Sequence, residues 1–564
     1  MSDKVIQYSK WSFLKVILLL TVVDLIIMFI FTVTHGEGIF LGSVHVPMRH
    51  TLSVYTFWLV ILILAYSFLS GREHPFFKTI RTSKLLQSLG IYYLRSPKSL
   101  FVFVLCSAVF LYSMIVFFGE KLSDDYMILG WIKTLNISSL SDWKTIWHNS
   151  GFIRPLPILW WKLDEYLWND NNIMVYFESV LLHVFNTFLF YVLLKKLSIE
   201  SKSRLGTALL FFIFPIGAYA IGWLSVRYDL MATCFGFIFL ISFLKWNENR
   251  RQLFAVFAML ALCGALLSKE NAIVLPLLAI AIFPLTELYA TQSIENRKSS
   301  YKKLLYSILP YLAIVLTYLV GRYTFFSDPG GYRIGGASIH TTFIPEDPSS
   351  MIIDLFQGIF SPLNLLFLNS LPFWIGLIEL IGLVAFITLT AKAFLETVRN
   401  ASSLILLILL PLLPIITHLG VEGDFKDARF LYMSSPFIAL MIGKSLADTR
   451  QFIVVLISAV MLLGVNVAAH IDTYVLVNLL NRNVEQHLAN VPASYNFRIT
   501  NLPLSSNGIY VYGNGFPERF KLEKVEAGDT TNFEVLDVRE LATGGEKRRN
   551  FSTLKLEGIY RKAE

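Results

Sequence analysis

The sequence predicts an all-α polytopic membrane domain of about 13 transmembrane helices, followed by a small C-terminal β-rich domain. Three observations carry that prediction. The 564 residues are 55% hydrophobic and only 16% charged, with a mean hydropathy of +0.58, whereas soluble domains carry about a quarter charged residues. Apolar runs of about 18–24 residues recur along the chain, each long enough to cross a hydrocarbon core of about 30 Å. From Asn478 onward the long runs stop, and short alternating stretches separated by Gly, Asn and Pro replace them.

The first run, 16–33, follows Lys4, Lys10 and Lys15. It is longer than a usual signal-peptide core and no small-x-small cleavage site follows, so it reads as a retained anchor. Asp24 inside it is a contact between helices or a functional polar site. A second run covers 51–69, and the basic segment Arg72 to Lys98 closes an N-terminal region, 1–99. The membrane domain, 100–475, opens with the run 100–118. It continues with runs near 172–194, 205–222, 229–244, 252–267, 271–289, 304–325, 373–391, 401–419, 431–443 and 452–475. Two loops interrupt it, 120–171 and 326–372. The stretch Met351 to Leu368, broken by Pro362, is too irregular for a span and reads as interfacial or re-entrant.

The net charge of +8 is spread between the runs. It sets topology and does not mark a nucleic-acid partner. With the N-terminus in the cytoplasm, every cytoplasmic segment receives basic residues: 72–98, then Lys195 to Arg204, Lys245 to Arg251, Arg297 to Lys303, Lys392 with Arg399, and Lys444 with Arg450. The extracytoplasmic side receives Asp124-Asp125, Arg154, Arg227-Tyr228-Asp229, Lys269-Glu270 and Asp424 to Arg429. The β-rich domain, 476–564, falls on that side too. Its length of fewer than 90 residues allows only a modest core, so it is expected to lean on the membrane domain. Cys106, Cys234 and Cys263 lie in apolar runs and read as small core hydrophobes.

The chemistry concentrates in 120–171. Asp124-Asp125 open a loop rich in interfacial tryptophans (Trp131, Trp143, Trp147, Trp160, Trp161, Trp168) with Arg154-Pro155 in its middle. A carboxylate at a membrane surface can deprotonate a hydroxyl if its surroundings tune it. Two together can hold a divalent metal given further ligands, though nothing in the sequence requires one and no tightly bound cofactor is expected. Arg227 and Lys269 sit at run ends beside Asp229 and Glu270, as ion pairs or as cations for a phosphate; Arg154 and Arg429 lie in short loops. Glu178 and His418 are further candidates near the same side. His183 and Asn186, inside a run, read as hydrogen-bonding contacts between helices. Asn136-Ile-Ser138 fits a glycosylation acceptor pattern.

These pieces recur in a familiar order. Asp124-Asp125 after the first helix, Trp143 to Trp147, Arg154-Pro155-Leu156, Leu182-His183-Val-Phe-Asn186, Trp223 to Ala232, Leu267-Ser-Lys269-Glu270-Asn271 with Pro276, and Asp427-Ala-Arg429-Phe-Leu-Tyr432 together resemble the GT-C superfamily of polyprenyl-phosphate-sugar-dependent glycosyltransferases. Within it the chain looks most like the bacterial relatives of the transmembrane-and-tetratricopeptide-repeat O-mannosyltransferases. The resemblance covers about 100–475. It implies a membrane-embedded, multi-pass enzyme of a bacterial inner membrane that moves a sugar from a polyprenyl or dolichyl phosphate to a hydroxyl of a lipid, glycan or protein. It implies Asp124 as base and Asp125 as helper, in either order; the cations Arg227, Lys269, Arg429 and Arg154, read from their own chemistry, would be the donor-phosphate ligands. Glu178, Asp229, Glu270, His418 and Tyr432 would support the acceptor or the site. Two features depart from the pattern: two extra N-terminal spans, and a β-rich tail in place of a repeat domain. A transporter of lipid-linked glycans, or a ligase or polymerase with a diphosphate-linked donor, are the alternatives.

Overall fold

The computed structural model describes residues 97–135, 152–169, 171–197, 201–286, 294–326, 348–400, 402–418, 428–446 and 449–489. It also describes single residues between them and short segments at 39–41, 44–46, 333–334, 337–338, 497–500, 505–507, 509–511, 533–535 and 552–555. Both N-terminal runs with Asp24, the glycosylation pattern, Trp143, Trp147, Asp424, Asp427 and most of the tail lie outside these residues, as does the side chain of His418.

The helices in chain order are α1 Pro97–Phe118, α2 Asp124–Thr134, α3 Pro155–Trp168, α4 Asn172–Leu194, α5 Ser201–Phe212, α6 Ile216–Ile221, α7 Arg227–Asn249 and α8 Gln252–Leu266. They continue with α9 Leu275–Ile282, α10 Ile294–Phe326, α11 Pro348–Phe360, α12 Leu365–Ser370, α13 Phe373–Asn400, α14 Ser402–Leu409, α15 Ser435–Ser445 and α16 Thr449–Ala489. Short strands are β1 Ile39–Leu41, β2 Val44–Val46, β3 Arg333–Ile334, β4 Ala337–Ser338, β5 Phe497–Thr500, β6 Ser505–Ser506, β7 Ile509–Tyr510, β8 Phe533–Val535 and β9 Ser552–Lys555. In the tail, β8, β5 and β9 form one parallel sheet, and β6 pairs with β7 as a hairpin.

Among the described residues, five helices are long and apolar enough to cross a membrane: Asn172–Leu194, Leu224–Asn249, Lys302–Phe325, Phe373–Arg399 and Gln451–Arg482. Several other predicted runs fold as shorter pieces because proline breaks them. Pro215 separates α5 from α6, and Pro276 and Pro284 divide 270–285 into 3-10 and α segments. Pro411 and Pro414 tighten the end of the 402–418 run into a 3-10 turn. A proline removes an N–H and clashes with the preceding turn, so an apolar run is not always one continuous rod.

Burial separates central from peripheral helices. The apolar stretches of Leu224–Asn249 and Gln451–Arg482 are 78% and 72% buried, against 28% for each of Lys302–Phe325 and Phe373–Arg399. The outer two display Leu309, Leu316, Val320, Ile381, Val384 and Leu395, a surface suited to hydrocarbon and costly in water. At the centre, α7 packs on α4 and α8, and α16 on α1 and α13. The 348–370 stretch is a helix, a break at Ser361–Leu363, and a short helix capped by Asn364, whose side-chain oxygen accepts the Phe367 N–H at 2.9 Å. It has the broken form expected of an interfacial segment.

Candidate active site

After α1 the chain turns through 119–123 and enters α2 at Asp124. Both acids stand in the first turn, where unpaired N–H groups favour negative charge. The turn is gripped on several sides. Glu120 accepts hydrogen bonds from Asn478 at 2.8 Å and Asn172 at 3.2 Å, and its carbonyl accepts the Tyr176 hydroxyl at 2.6 Å. Asp125 is fully buried. Its Oδ1 accepts the Ser225 N–H at 2.8 Å and the Ser225 hydroxyl at 2.5 Å, while Oδ2 accepts the Leu122 N–H at 2.9 Å. Asp124 keeps partial exposure. The adjacent acids therefore have different environments: Asp125 fastens the turn to the 3-10 segment Leu224–Val226, and Asp124 keeps access to solvent. Burial pushes the Asp125 carboxyl up to about 7, aided by the charge of Asp124, although the Ser225 and Leu122 hydrogen bonds oppose the rise.

The cations do not pair with their sequence neighbours, which corrects the simplest expectation. Arg227 is joined not to Asp229 but to Asp164 of α3. It also donates to the Val175 carbonyl at 2.8 Å and the Ser179 hydroxyl at 3.4 Å, and lies 3.9 Å from Glu178. Lys269 reaches not Glu270 but both oxygens of Asp229, at 2.6 and 2.5 Å. Glu270 instead receives Arg154 through two bonds of 2.9 and 2.5 Å. Side chains one or two residues apart on a helical turn point in different directions, so their partners come from other segments.

Arg227 thus has its guanidinium taken up within the fold, tying α3 and α4 to the start of α7. Burial pushes the Asp164 carboxyl up to about 7 against the pull of Arg227. Glu178 accepts the indole N–H groups of Trp160 at 2.8 Å and Trp168 at 2.6 Å, which explains two of the loop's tryptophans. The Arg154 guanidinium lies 4.0 Å from the Phe152 ring centre and 5.2 Å from that of Tyr228.

A second set of contacts links the acids to the cations. Trp223, two residues before the Ser225 that holds Asp125, carries Arg429 over its ring at 4.2 Å. Arg429 also lies 4.8 Å from the Phe430 ring, and Lys269 stands 4.9 Å from that ring. Arg322, near the end of α10, lies 5.8 Å from the Phe152 ring and acts electrostatically on Glu270. Residues from 124 to 429 in sequence are therefore joined at one end of the bundle. Sequence reading missed Arg322 and Asp164. Arg322 ends an apolar run with no acid beside it, and Asp164 lies in Lys162-Leu-Asp164-Glu165, which reads as an ordinary solvated face.

Tyr432 belongs elsewhere, to a buried polar knot. The His183 Nε2 lies 3.0 Å from the Phe212 carbonyl, and Nδ1 lies 2.7 Å from the Tyr432 hydroxyl. A carbonyl can only accept, so we assign the proton to Nε2, with Tyr432 donating to Nδ1. Asn186 donates to the Tyr432 oxygen at 3.2 Å and to the Leu230 carbonyl at 2.9 Å. The knot makes the interhelical contacts expected of His183 and Asn186.

No group of three or more His, Cys, Asp or Glu side chains able to hold a metal occurs among the described residues. The chain matches no protein-family model, no curated protein and no solved structure.

Proposed function

We propose that the chain is an integral membrane glycosyltransferase that moves a sugar from a polyprenyl-phosphate donor to an acceptor hydroxyl. The observation that carries this reading is the gathering of Asp124-Asp125, Lys269, Arg154, Arg322 and Arg429 at one end of an apolar bundle, linked through Ser225, Trp223 and Phe430. An acid with access to water, at the same end of the bundle as several cations, suits a reaction that takes a proton from a hydroxyl while a phosphate departs. The GT-C resemblance supports the same reading. Beyond the part that the resemblance covers, the proposal includes about thirteen spans, an extracytoplasmic site in a bacterial inner membrane, and a β-rich tail on the same side.

In this reading the donor enters sideways from the bilayer, which restricts it to a plane and aids encounter. Asp124 takes the acceptor proton, and the acceptor oxygen bonds to the anomeric carbon. The bond from that carbon to the phosphate oxygen breaks, releasing polyprenyl phosphate, and one displacement inverts the carbon. Lys269, whose ammonium has a third donor beyond the two it gives to Asp229, joins Arg429 in stabilising charge growing on the phosphate, and Arg154, held by Glu270, adds positive charge at the same end. Arg227 moves from phosphate ligand to organiser, since Asp164 and two backbone-proximal partners take its donors. Asp125 holds the turn that presents Asp124. The sequence calls for no nucleotide and does not require a divalent metal, for which Asp124 and Asp125 would be the ligands.

The test is purified protein in nanodiscs with a panel of polyprenyl-phosphate sugars and acceptors. Release of polyprenyl phosphate that needs an acceptor and disappears in Asp124→Asn supports the enzyme. Passage of the lipid-linked sugar across a membrane without bond cleavage would instead make the chain a transporter. Release of a polyprenyl diphosphate would make it a ligase or polymerase.

A further inference from the structure

We infer that the C-terminal hairpin Ser505–Tyr510, with Val511 after it, is a positioning element of the candidate site, holding the turn that aims Asp124. The inference rests on the reading of Asp124 as base, and it assigns a task to part of the tail.

The hairpin is built to dock. Its turn contains Asn507-Gly508, a pair that suits a two-residue connection, and Asn507 has φ of 49°, a region that Asn tolerates better than most residues. The Asn507 carbonyl accepts a hydrogen bond of 2.5 Å from Asn364, a fully buried residue that also donates to Tyr219 at 3.1 Å. The Asn507 side chain donates to Asp472 of α16 at 3.0 Å, and the Thr473 hydroxyl donates to the Ser506 carbonyl at 3.2 Å. Ile509 and Val511 are buried among the hydrophobic residues of the bundle. A segment some 380 residues beyond the first acid in sequence is therefore packed inside the helical body, and not merely tethered to it.

What it touches there is specific. The Val511 carbonyl accepts the Ser123 N–H at 2.9 Å. Ser123 is the residue before Asp124, and its backbone has φ 41° and ψ −110°. A side-chain-bearing residue with such dihedrals is disfavoured and persists only where its surroundings over-determine it. Those surroundings are the Val511 carbonyl on one side and, through Asp125, Leu122 and Ser225 on the other. The dihedrals of Ser123 set the direction in which α2 departs, and so the place of the Asp124 carboxylate. Without the Val511 bond, Ser123 is free to relax toward ordinary backbone and carry Asp124 with it.

The experiment uses the full chain in nanodiscs with two substitutions at one position. Asn507→Val puts a β-branched residue at positive φ and removes the bond to Asp472. Asn507→Gly loses the same side chain but accepts the backbone. Amide exchange at 122–126 should accelerate about ten-fold or more in Asn507→Val and stay within about two-fold of the parent in Asn507→Gly. Turnover in Asn507→Val should fall about ten-fold with donor KM unchanged, because the cations are untouched and only the base is misplaced. Asn507→Gly should restore it. Val511→Ala, which keeps the carbonyl and loosens its seat, should give a milder form of both changes and decides the matter if Asn507→Val does not fold. Accelerated exchange at 505–511 with unchanged exchange at 122–126 would overturn the inference, as would a loss expressed wholly in donor KM. The outcome for the base reading is separate: if Asp124→Asn retains turnover while the exchange coupling stands, the coupling survives and the catalytic assignment falls.

Discussion

Two polar regions of this molecule solve the problem of burial in opposite ways. The knot of His183, Asn186 and Tyr432 lies within the apolar helices and joins neutral donors and acceptors with the Phe212 and Leu230 carbonyls. The charged end around Arg227, Lys269 and Arg154 buries cations and pairs them with acids from other segments. Neutral polar groups need only geometry, whereas a buried ion that loses its partner carries a large desolvation cost. The knot can therefore be read as structure. The charged end holds an expensive arrangement, which the proposed phosphate chemistry would put to use.

The largest expected effect tests that division. Asp124→Asn should lower turnover by about 10²–10⁴-fold, the range for loss of a general base, while donor binding and thermal unfolding stay near the parent. Wild-type turnover in that variant would remove the distinction between the two regions. Next is the Lys269–Asp229 pair. Lys269→Met leaves Asp229 as a buried uncompensated charge and should destabilise the protein by about 3–5 kcal/mol. Adding Asp229→Asn should recover much of that stability in a thermal unfolding assay, yet recover no activity. Recovery of both would show the pair to be scaffold alone. A smaller effect is expected in the knot. Tyr432→Phe removes one donor and one acceptor and should cost about 1–2 kcal/mol with turnover unchanged. A selective loss of turnover there would bring Tyr432 into the site.

The same contrast explains what could be read from the sequence. The membrane-spanning character was plain from run length, because a bilayer demands a minimum of consecutive apolar residues. Asp124-Asp125 and Lys269 stood out because charge at the end of an apolar run is conspicuous, and Arg429 because it lies in a short loop between two such runs. Which acid is buried was not legible: it depends on Ser225, 100 residues away, folding its N–H and hydroxyl onto Asp125. Nor was the partner exchange. Arg227 with Asp164, and Arg154 with Glu270, join residues 63 and 116 apart, and sequence adjacency pointed to the wrong acids. The tail was visible only as short alternating stretches; the hairpin at Asn507 and its seat against Ser123 were not, since nothing local encodes a contact across most of the chain.

The smallest predicted effect concerns acid and stability, and it sharpens the contrast from the side of the protein's own protons. Burial holds the carboxyls of Asp125 and Asp164 up to about 7 in the folded chain, while in the unfolded chain they titrate near 4. Between those values the folded state keeps protons that the unfolded state has lost, so stability falls as pH rises through the window and levels off above it. The two carboxyls should therefore contribute a few degrees to thermal unfolding at about pH 5.5 that are lost at about pH 8, read as the difference between the parent and the aspartate variants in nanodiscs. Asp125→Asn and Asp164→Asn should each flatten part of that slope, because an amide carries no proton to exchange. Tyr432→Phe should lower the curve and leave in place the part of the slope that the two aspartates carry, since the knot touches neither of them. A pH slope that follows the knot substitution and ignores the two aspartates would reverse the assignment of the regions.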